Sequence, residues 1–478
     1  MKEVWSHWTP VRRIFAALAA FLVLLFIIAC GLLMREIYAT DLIAPQAINT
    51  PTKGQNNTLN LDDLQVQRGA YLAKVGNCAA CHTARGGGAF AGGKAISTPF
   101  GTVYTSNITP DAATGIGKWS ADAFYRAMHE GRSADGHLLT PAFPYPNYTH
   151  ITRADSDDLY AYFMHSIAPV AQANKAHNLP FPFNTQVALV FWRTLFFEKP
   201  DENTINNIAP QAIKTPARAL NEGVKTENSE IQRGAYLVRG LGHCSACHAE
   251  RNALGASIND QILGGALMPM RDWYAPSLTD PAEAGVAHLP RQDVVALLKT
   301  GIAPNASMLG PMAEVVAGST QFWTDADLQA TAAYLQTLPQ LDDKNSNKST
   351  TSDTFKPAFN KPVLFDKGAE LFTQHCATCH GEQGQGMRVE GNVALPALAG
   401  NRAITLPNTT NLVRILLAGG YAPSTAGNPR PFGMPPFVHV LNNEDIAAVT
   451  TYVRNAWGNQ AASVTGADVV RQQRGVMQ

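Results

Sequence analysis

One frame recurs along this chain. Gln67-Arg68-Gly69-Ala70-Tyr71-Leu72 returns as Gln232-Arg233-Gly234-Ala235-Tyr236-Leu237, and a looser copy stands at Lys367-Gly368-Ala369-Glu370-Leu371. Each copy runs into a Cys-x-x-Cys-His pentapeptide: Cys78-Ala79-Ala80-Cys81-His82, Cys244-Ser245-Ala246-Cys247-His248 and Cys376-Ala377-Thr378-Cys379-His380. A repeat of this kind predicts several small units in place of one large core. The 478 residues agree, since they would fill roughly three or four domains of ordinary size.

Each copy reads as a short helix that delivers the cysteines at its C-terminal end, because Arg-Gly-Ala-Tyr-Leu has helical apolar spacing. A second helix is expected to close each unit, at about Asp155 to Ser166, Thr324 to Leu338 and Asn443 to Trp457. Thr324 followed by Asp327 has the spacing of a capping box. Tyr162, Tyr334 and Tyr452 occupy the same place in these closing helices. Loops such as Gly86-Gly87-Gly88 and Gly264-Gly265 lie between the paired helices and cannot bury a core alone, so a large apolar cofactor is the natural core. Asp342 to Thr354 reads as an exposed tether. The apolar run from Val187 to Phe197 is too short to cross a bilayer and is expected to pack between domains, with docking on a partner or a membrane surface as the alternative.

Six of the seven cysteines fall in the three pentapeptides, and only Cys30 is left over. Covalent attachment of a c-type haem needs two thiols that reach its two vinyl groups and an imidazole beside the second to ligate iron, which Cys-x-x-Cys-His supplies. Cys78, Cys81, Cys244, Cys247, Cys376 and Cys379 are therefore the candidate attachment residues, and His82, His248 and His380 the candidate proximal ligands. Zinc would need two knuckles brought together, and no strand–helix alternation supports a thioredoxin-like redox pair.

A second axial ligand in electron-transfer cytochromes is most often Met. Met312 stands in Gly310-Pro311-Met312, 22 residues before Tyr334, and Met434 in Gly433-Met434-Pro435-Pro436, 18 before Tyr452. Both are assigned as ligands, with Met308 as the rival to Met312. The corresponding stretch of the first unit, Thr140-Pro141-Ala142-Phe143-Pro144, has Phe143 where Met is expected. Met128, His129, His137, His150 and Met164 are the possible substitutes, and an open sixth position is the other possibility.

The 37 basic and 37 acidic side chains cancel, so no whole-protein field calls for a nucleic-acid partner. Ile14 to Met34 is an apolar run of 21 residues behind Lys2, Arg12 and Arg13. It reads as a transmembrane anchor that leaves residues 1–13 in the cytoplasm and exports the rest. A cleaved signal peptide and a lipoprotein signal ending at Cys30 are the rival readings.

Four further stretches accompany the haem motifs: Thr105-Ser106-Asn107-Ile108-Thr109-Pro110-Asp111, Pro141-Ala142-Phe143-Pro144-Tyr145-Pro146, Tyr162-Phe163-Met164-His165 and Ala275-Pro276-Ser277-Leu278-Thr279. With these, over about residues 60 to 460, the sequence resembles the tri-haem cytochrome c subunits of membrane-bound periplasmic dehydrogenases. The resemblance implies a mainly α fold of three tandem class I cytochrome c domains after one N-terminal transmembrane helix. The domains would cover 60–172, 227–340 and 362–460, with linkers at 173–226 and 341–361 and a tail at 461–478. It also implies three covalently bound haem c groups that carry electrons from a catalytic dehydrogenase subunit to ubiquinone at the cytoplasmic membrane. Phe143 and the uncleaved anchor look more like the cytochromes paired with molybdopterin aldehyde dehydrogenases, which can bring a small iron–sulfur subunit. Quinoprotein alcohol dehydrogenases and flavin-dependent gluconate or sugar dehydrogenases are the alternative partners. A haem peroxidase or gas sensor acting at haem 1 is a further reading.

Overall fold

The computed structural model describes residues 14–21, 23–24, 27, 31, 61–200, 227–259, 262–268, 272–340, 361–389 and 392–473. In chain order its longer helices are α1 (Leu61–Val75), α2 (Ala121–Glu130), α3 (Arg153–His165), α4 (Gln186–Phe196), α5 (Glu227–Arg239), α6 (Arg291–Thr300), α7 (Asp325–Thr337), α8 (Lys361–His375), α9 (Thr410–Ala418) and α10 (Asn443–Val453). The strands are short antiparallel pairs in the connecting loops, such as Ala95–Thr98 with Gly101–Tyr104.

Three helix crossings organise the chain: α1 on α3, α5 on α7 and α8 on α10. The repeated glycine explains them. A Cβ on Gly69 would lie 1.9 Å from the Asp158 carbonyl oxygen and 2.7 Å from Tyr162 Cβ. On Gly234 it would lie 2.0 Å from the Ala330 carbonyl oxygen and 2.6 Å from Tyr334 Cβ, and on Gly368, 2.3 Å from Ala448 and 2.7 Å from Tyr452. Each pair thus crosses backbone against backbone at a residue without a side chain, and the tyrosine that keeps its place in the sequence is the one packed on that glycine.

The closing helices begin at side-chain caps. Thr324 accepts from Asp327 N, as its spacing predicts, and Thr152 accepts from Asp155 N in the same way. Asn442 and Asp445 form a reciprocal capping box. Such caps satisfy N–H groups that have no partner inside the helix, each contributing about 1 kcal/mol.

The first and middle units share one core. Leu72, Val75, Phe124, Leu159 and Phe163 of the first unit pack in a single cluster with Tyr236, Leu237, Leu241, Trp323 and Leu328 of the middle one. The third unit has its own cluster, built around Phe372, Val413, Leu417, Ile446 and Val453. Helix α4 bridges the first two units. Its Arg193 donates to the Glu130 carbonyl oxygen, and its Trp192 Nε1 to the Leu254 carbonyl oxygen at 2.9 Å. The run expected to pack between domains does so on this inner side, while Val187, Phe191 and Leu195 stay exposed.

The expected architecture of three tandem domains behind one transmembrane helix needs correction. Among the described residues no helix is long and apolar enough to cross a membrane. Cys30 and the end of the run from Leu32 to Met34 lie outside the described residues, as does the tether from Asp342 to Thr354. The shared core also makes the first two units a packed pair, because the faces of α1 and α5 are completed by each other's side chains.

Candidate haem attachment sites

Helices α1 and α5 end three and five residues before their cysteine pairs. After α1, Asn77 turns the chain with φ 50°, and after α5, His243 does so with φ 36°. Asn and His are among the side chains that tolerate this left-handed region. The turn aims Cys78–His82 and Ser245–His248 back across the loops as single helical turns. In the third unit Cys376 N continues the hydrogen bonding of α8 to Phe372 O at 2.8 Å, and Ala377–His380 follows directly.

The first cysteine of each pair is the more enclosed, and the second is exposed. Burial, followed by the neighbouring thiol, pushes Cys78 and Cys244 up to about 12 and Cys376 up to about 11. All six are outside disulfides. Two of the imidazoles are oriented by backbone carbonyls. His82 Nδ1–H donates to the Ser106 carbonyl oxygen at 2.7 Å, and His248 Nδ1–H to the Pro276 carbonyl oxygen at 2.8 Å. With Nδ1 holding the proton, Nε2 presents its lone pair. Burial lowers the pKa of His82, His248 and His380 and favours the neutral form that binds iron. His380 differs in that its buried Nδ1 has no hydrogen-bond partner among the described residues.

These arrangements fit covalent haem. One cavity of about 1920 Å³ reaches both Cys81 and Cys247, and Thr140, Pro141, Ala142 and Pro144 line it on the first unit's side. The two exposed thiols thus open onto a space large enough for flat, apolar groups. Among the described residues no cluster of three or more His, Cys, Asp or Glu side chains could hold a metal ion, whereas a structural zinc site needs four ligands.

The distal candidates differ in placement. Met434 lies in a two-residue strand beside Gly420–Tyr421 and packs on the cluster that contains Cys376. Met312 is the second residue of the helix Pro311–Gly318, where the sequence points to a loop, and Met308 lies just after the strand Ala306–Ser307 with its N–H donating to the Gly301 carbonyl oxygen. In the first unit Phe143 packs its ring on Tyr148 at 5.4 Å between centroids. Met128 is buried in the shared core, and Met164 packs on it. His129 is fully buried and stacked on Tyr125 at 4.0 Å, and burial and the Lys199 charge push it down to about 4. His137 pairs with Asp135 at 2.5 Å on the surface. His150 is partly buried after the short helix Tyr145–Tyr148.

Several functional contacts have no signature in motif spacing. Lys94 Nζ donates to the Ala80 carbonyl oxygen at 2.7 Å, and Arg251 Nη2 to the Ala246 carbonyl oxygen at 2.6 Å. Each cation holds the peptide between the two cysteines of its motif. Ser106 and Pro276, which receive the histidines, could have been found, since they sit at matching places in two of the stretches that accompany the haem motifs.

The cytochrome c family model matches residues 66–166 and 365–457, two domains where the sequence reading placed three. The middle copy has the longest span from motif to closing helix, 86 residues from His248 to Tyr334 against 80 and 72 in the others. The chain is 37% identical to the cytochrome c subunit of alcohol dehydrogenase (quinone) from Komagataeibacter europaeus, over 87% of this chain and 85% of that one. It is 37% identical to the gluconate 2-dehydrogenase cytochrome c subunit of Pantoea cypripedii, over 85% and 89%. It is 34% identical to the fructose dehydrogenase cytochrome subunit of Gluconobacter japonicus, over 86% and 82%. Paired thiols beside neutral, oriented imidazoles, a matching family model and relatives aligned over most of their length lead to one assignment: this chain belongs to the family of cytochrome c subunits of dehydrogenases.

Proposed function

We propose that this chain accepts single electrons from a catalytic dehydrogenase subunit and passes them through three haem c groups, held at Cys78/Cys81, Cys244/Cys247 and Cys376/Cys379, to ubiquinone. The observation that carries this reading is the histidine geometry, in which His82 and His248 are each fixed by a backbone carbonyl with Nε2 left to ligate iron. The bound haem supplies a reversible one-electron couple. The chain's own residues hold it through thioethers, orient the imidazoles, and with Lys94 and Arg251 brace the attachment loops. Met312 and Met434 are the proposed distal ligands of the middle and third sites, and Met ligation raises the potential of a site.

Relatives whose names specify a quinone-linked alcohol dehydrogenase and a gluconate dehydrogenase support a partner that oxidises an alcohol or a sugar acid, and support a quinone as acceptor. Phe143 is the one feature that favours the alternative molybdopterin aldehyde dehydrogenase with an iron–sulfur subunit. The proposed place of work is the periplasmic face of the cytoplasmic membrane, supported by relatives that are cytochrome subunits of quinone-linked, gluconate and fructose dehydrogenases. Purification in mild detergent, with mass spectrometry of the bound subunits and haem counting per chain, tests the whole reading. A quinoprotein or flavoprotein partner with three haems is expected. Molybdenum in the large subunit would move the assignment to aldehyde oxidation. A lone chain that reacts rapidly with peroxide or binds carbon monoxide stoichiometrically would replace electron relay with haem 1 chemistry.

A further inference from the structure

The segment just before α3 reaches across to the attachment loop of the middle unit. Asn147, in the short helix Tyr145–Tyr148, donates from Nδ2 to Ser245 Oγ at 2.7 Å and to the Arg239 carbonyl oxygen at 3.3 Å. Ser245 lies between Cys244 and Cys247, and both partners are buried, Asn147 at 9% and Ser245 at 5% exposure. The next residue, Tyr148, is buried in the core against which Cys78 packs, and meets the ring of His243 edge-on at 5.7 Å. Two adjacent side chains thus touch the surroundings of one cysteine pair and the interior of the other.

The brace is returned from the other side. Ser319, just before α7, donates to the Val75 carbonyl oxygen at 3.0 Å, three residues before Cys78, and is itself held by Trp323 Nε1 at 3.0 Å. Gly318 beside it approaches so closely that a Cβ there would lie 2.6 Å from Asn77 Oδ1. Each unit therefore grips the other's attachment loop with the segment that precedes its closing helix, and one cavity reaches Cys81 and Cys247.

We propose that Asn147 is a positioning residue for electron transfer between the first and middle haem sites, acting through Ser245 to set their separation and orientation. The inference rests on Cys244 and Cys247 carrying a haem. Electron transfer falls steeply with the gap between haem edges. A buried amide–hydroxyl hydrogen bond is directional and fixes a register that apolar contacts alone leave free to slide. The step it serves moves one electron: iron at the donor site goes from ferrous to ferric, iron at the acceptor site from ferric to ferrous, and no bond or proton is exchanged.

The test uses the full chain with its bound partner, carrying Asn147→Leu, Ser245→Ala or both. Haem-peptide mass spectrometry counts the attached groups, spectroelectrochemistry reads each midpoint, and pulse reduction follows transfer between the two sites. The expected result is full haem content with unchanged spectra, transfer slowed about tenfold, within what misplacement of reacting groups by about 1 Å can cost, and a double variant no slower than the worse single. Ser245→Ala decides the matter if Asn147→Leu does not accumulate. Unchanged transfer in a variant with full haem content overturns the inference alone. A wild-type chain without haem on Cys244 and Cys247 overturns the functional reading and the inference with it.

Discussion

The Tyr71 hydroxyl donates to the Asp327 carboxylate at 2.5 Å across 256 residues of chain, tying the first helix of the first unit to the capped end of α7. The Tyr236 hydroxyl does the same to Asp155 at 2.5 Å, tying α5 to the capped end of α3. Both hydroxyls also accept from the cap residue of the helix they reach, Thr324 N and Thr152 N. Tyr71 and Tyr236 are the same position of the repeated frame, so the first two units meet about a local two-fold relation. The halves differ in charge pairing: Arg233 forks onto Asp327, whereas Arg68 forks onto Asp158.

The Arg233–Asp327 pair is nearly enclosed, with side chains 13% and 10% exposed. Asp327→Asn is expected to destabilise the joined units by about 3–5 kcal/mol, because it leaves a buried guanidinium without its counter-charge. Tyr71→Phe is expected to cost about 1–3 kcal/mol through the hydrogen bonds it removes. Urea unfolding of the two variants, followed by tyrosine and tryptophan fluorescence, checks the order of the two losses.

The two carboxyls respond to pH in opposite senses. Burial pushes Asp327 up, but the Arg233 charge and the hydrogen bonds from Arg233 and Tyr71 outweigh it and hold the group below its ordinary value. Its contribution is complete above the unfolded value of about 3.9 and is lost as pH falls through the folded one. Asp155 is raised, chiefly by burial. Its contribution is present below the unfolded value and is lost as pH rises through the folded one. Asp155→Asn is therefore expected to match or exceed the wild type in stability at pH 7, with the difference vanishing towards pH 4. A urea midpoint that falls on this substitution at pH 7 would contradict the assignment.

Gly234→Ala is expected to be among the more costly single-methyl changes. The new Cβ would stand 2.0 Å from the Ala330 carbonyl oxygen, where neither backbone can give way without separating α5 from α7. Overpacking of this kind costs about 1–3 kcal/mol or more. Gly69→Ala and Gly368→Ala should behave alike, whereas Gly136→Ala, with open space at its Cβ position, loses only what its φ of 90° imposes. Thermal unfolding of the set gives the comparison.

Distal ligation predicts an order of potentials. The third site, with Met434 beside the Cys376 cluster and, among the described residues, no Nδ1 acceptor to make His380 more basic, is expected to be the highest. The first site, with Phe143 in place of Met, is expected to be the lowest. Met434→Leu should shift one midpoint negative within the roughly 0.8 V that axial ligation spans, and Phe143→Met should shift a different one positive. Spectroelectrochemical titration reads both.

Much of this protein is local and therefore legible. Cys-x-x-Cys-His is five residues long, and its chemistry needs no distant partner to be recognised. Thr324 with Asp327 is a cap within one turn, so the start of α7 can be read from the chain, and Thr152 with Asp155 carries the same spacing. The apolar stretch of α4 was readable as an interdomain packing segment, but not its two-sidedness, because period alone does not say which face a neighbour will cover. The Gly and Pro neighbours of Met312 point to a loop, although Pro at the first turn of a helix is equally well accommodated, as Pro311 is.

The sequence by itself determined where a Cys-x-x-Cys-His frame follows each first helix, that a second helix comes later in each unit, and that Thr324 caps α7, since these follow from short-range spacing and backbone sterics. Only the tertiary structure decided that the first two units share a core, that Ser106 and Pro276 orient the histidines, and that Asn147 holds Ser245. Those contacts join residues 24 to 98 positions apart. They exist because the faces of α1, α3, α5 and α7 bury more apolar surface together than apart, and packing of that kind leaves no period in the chain.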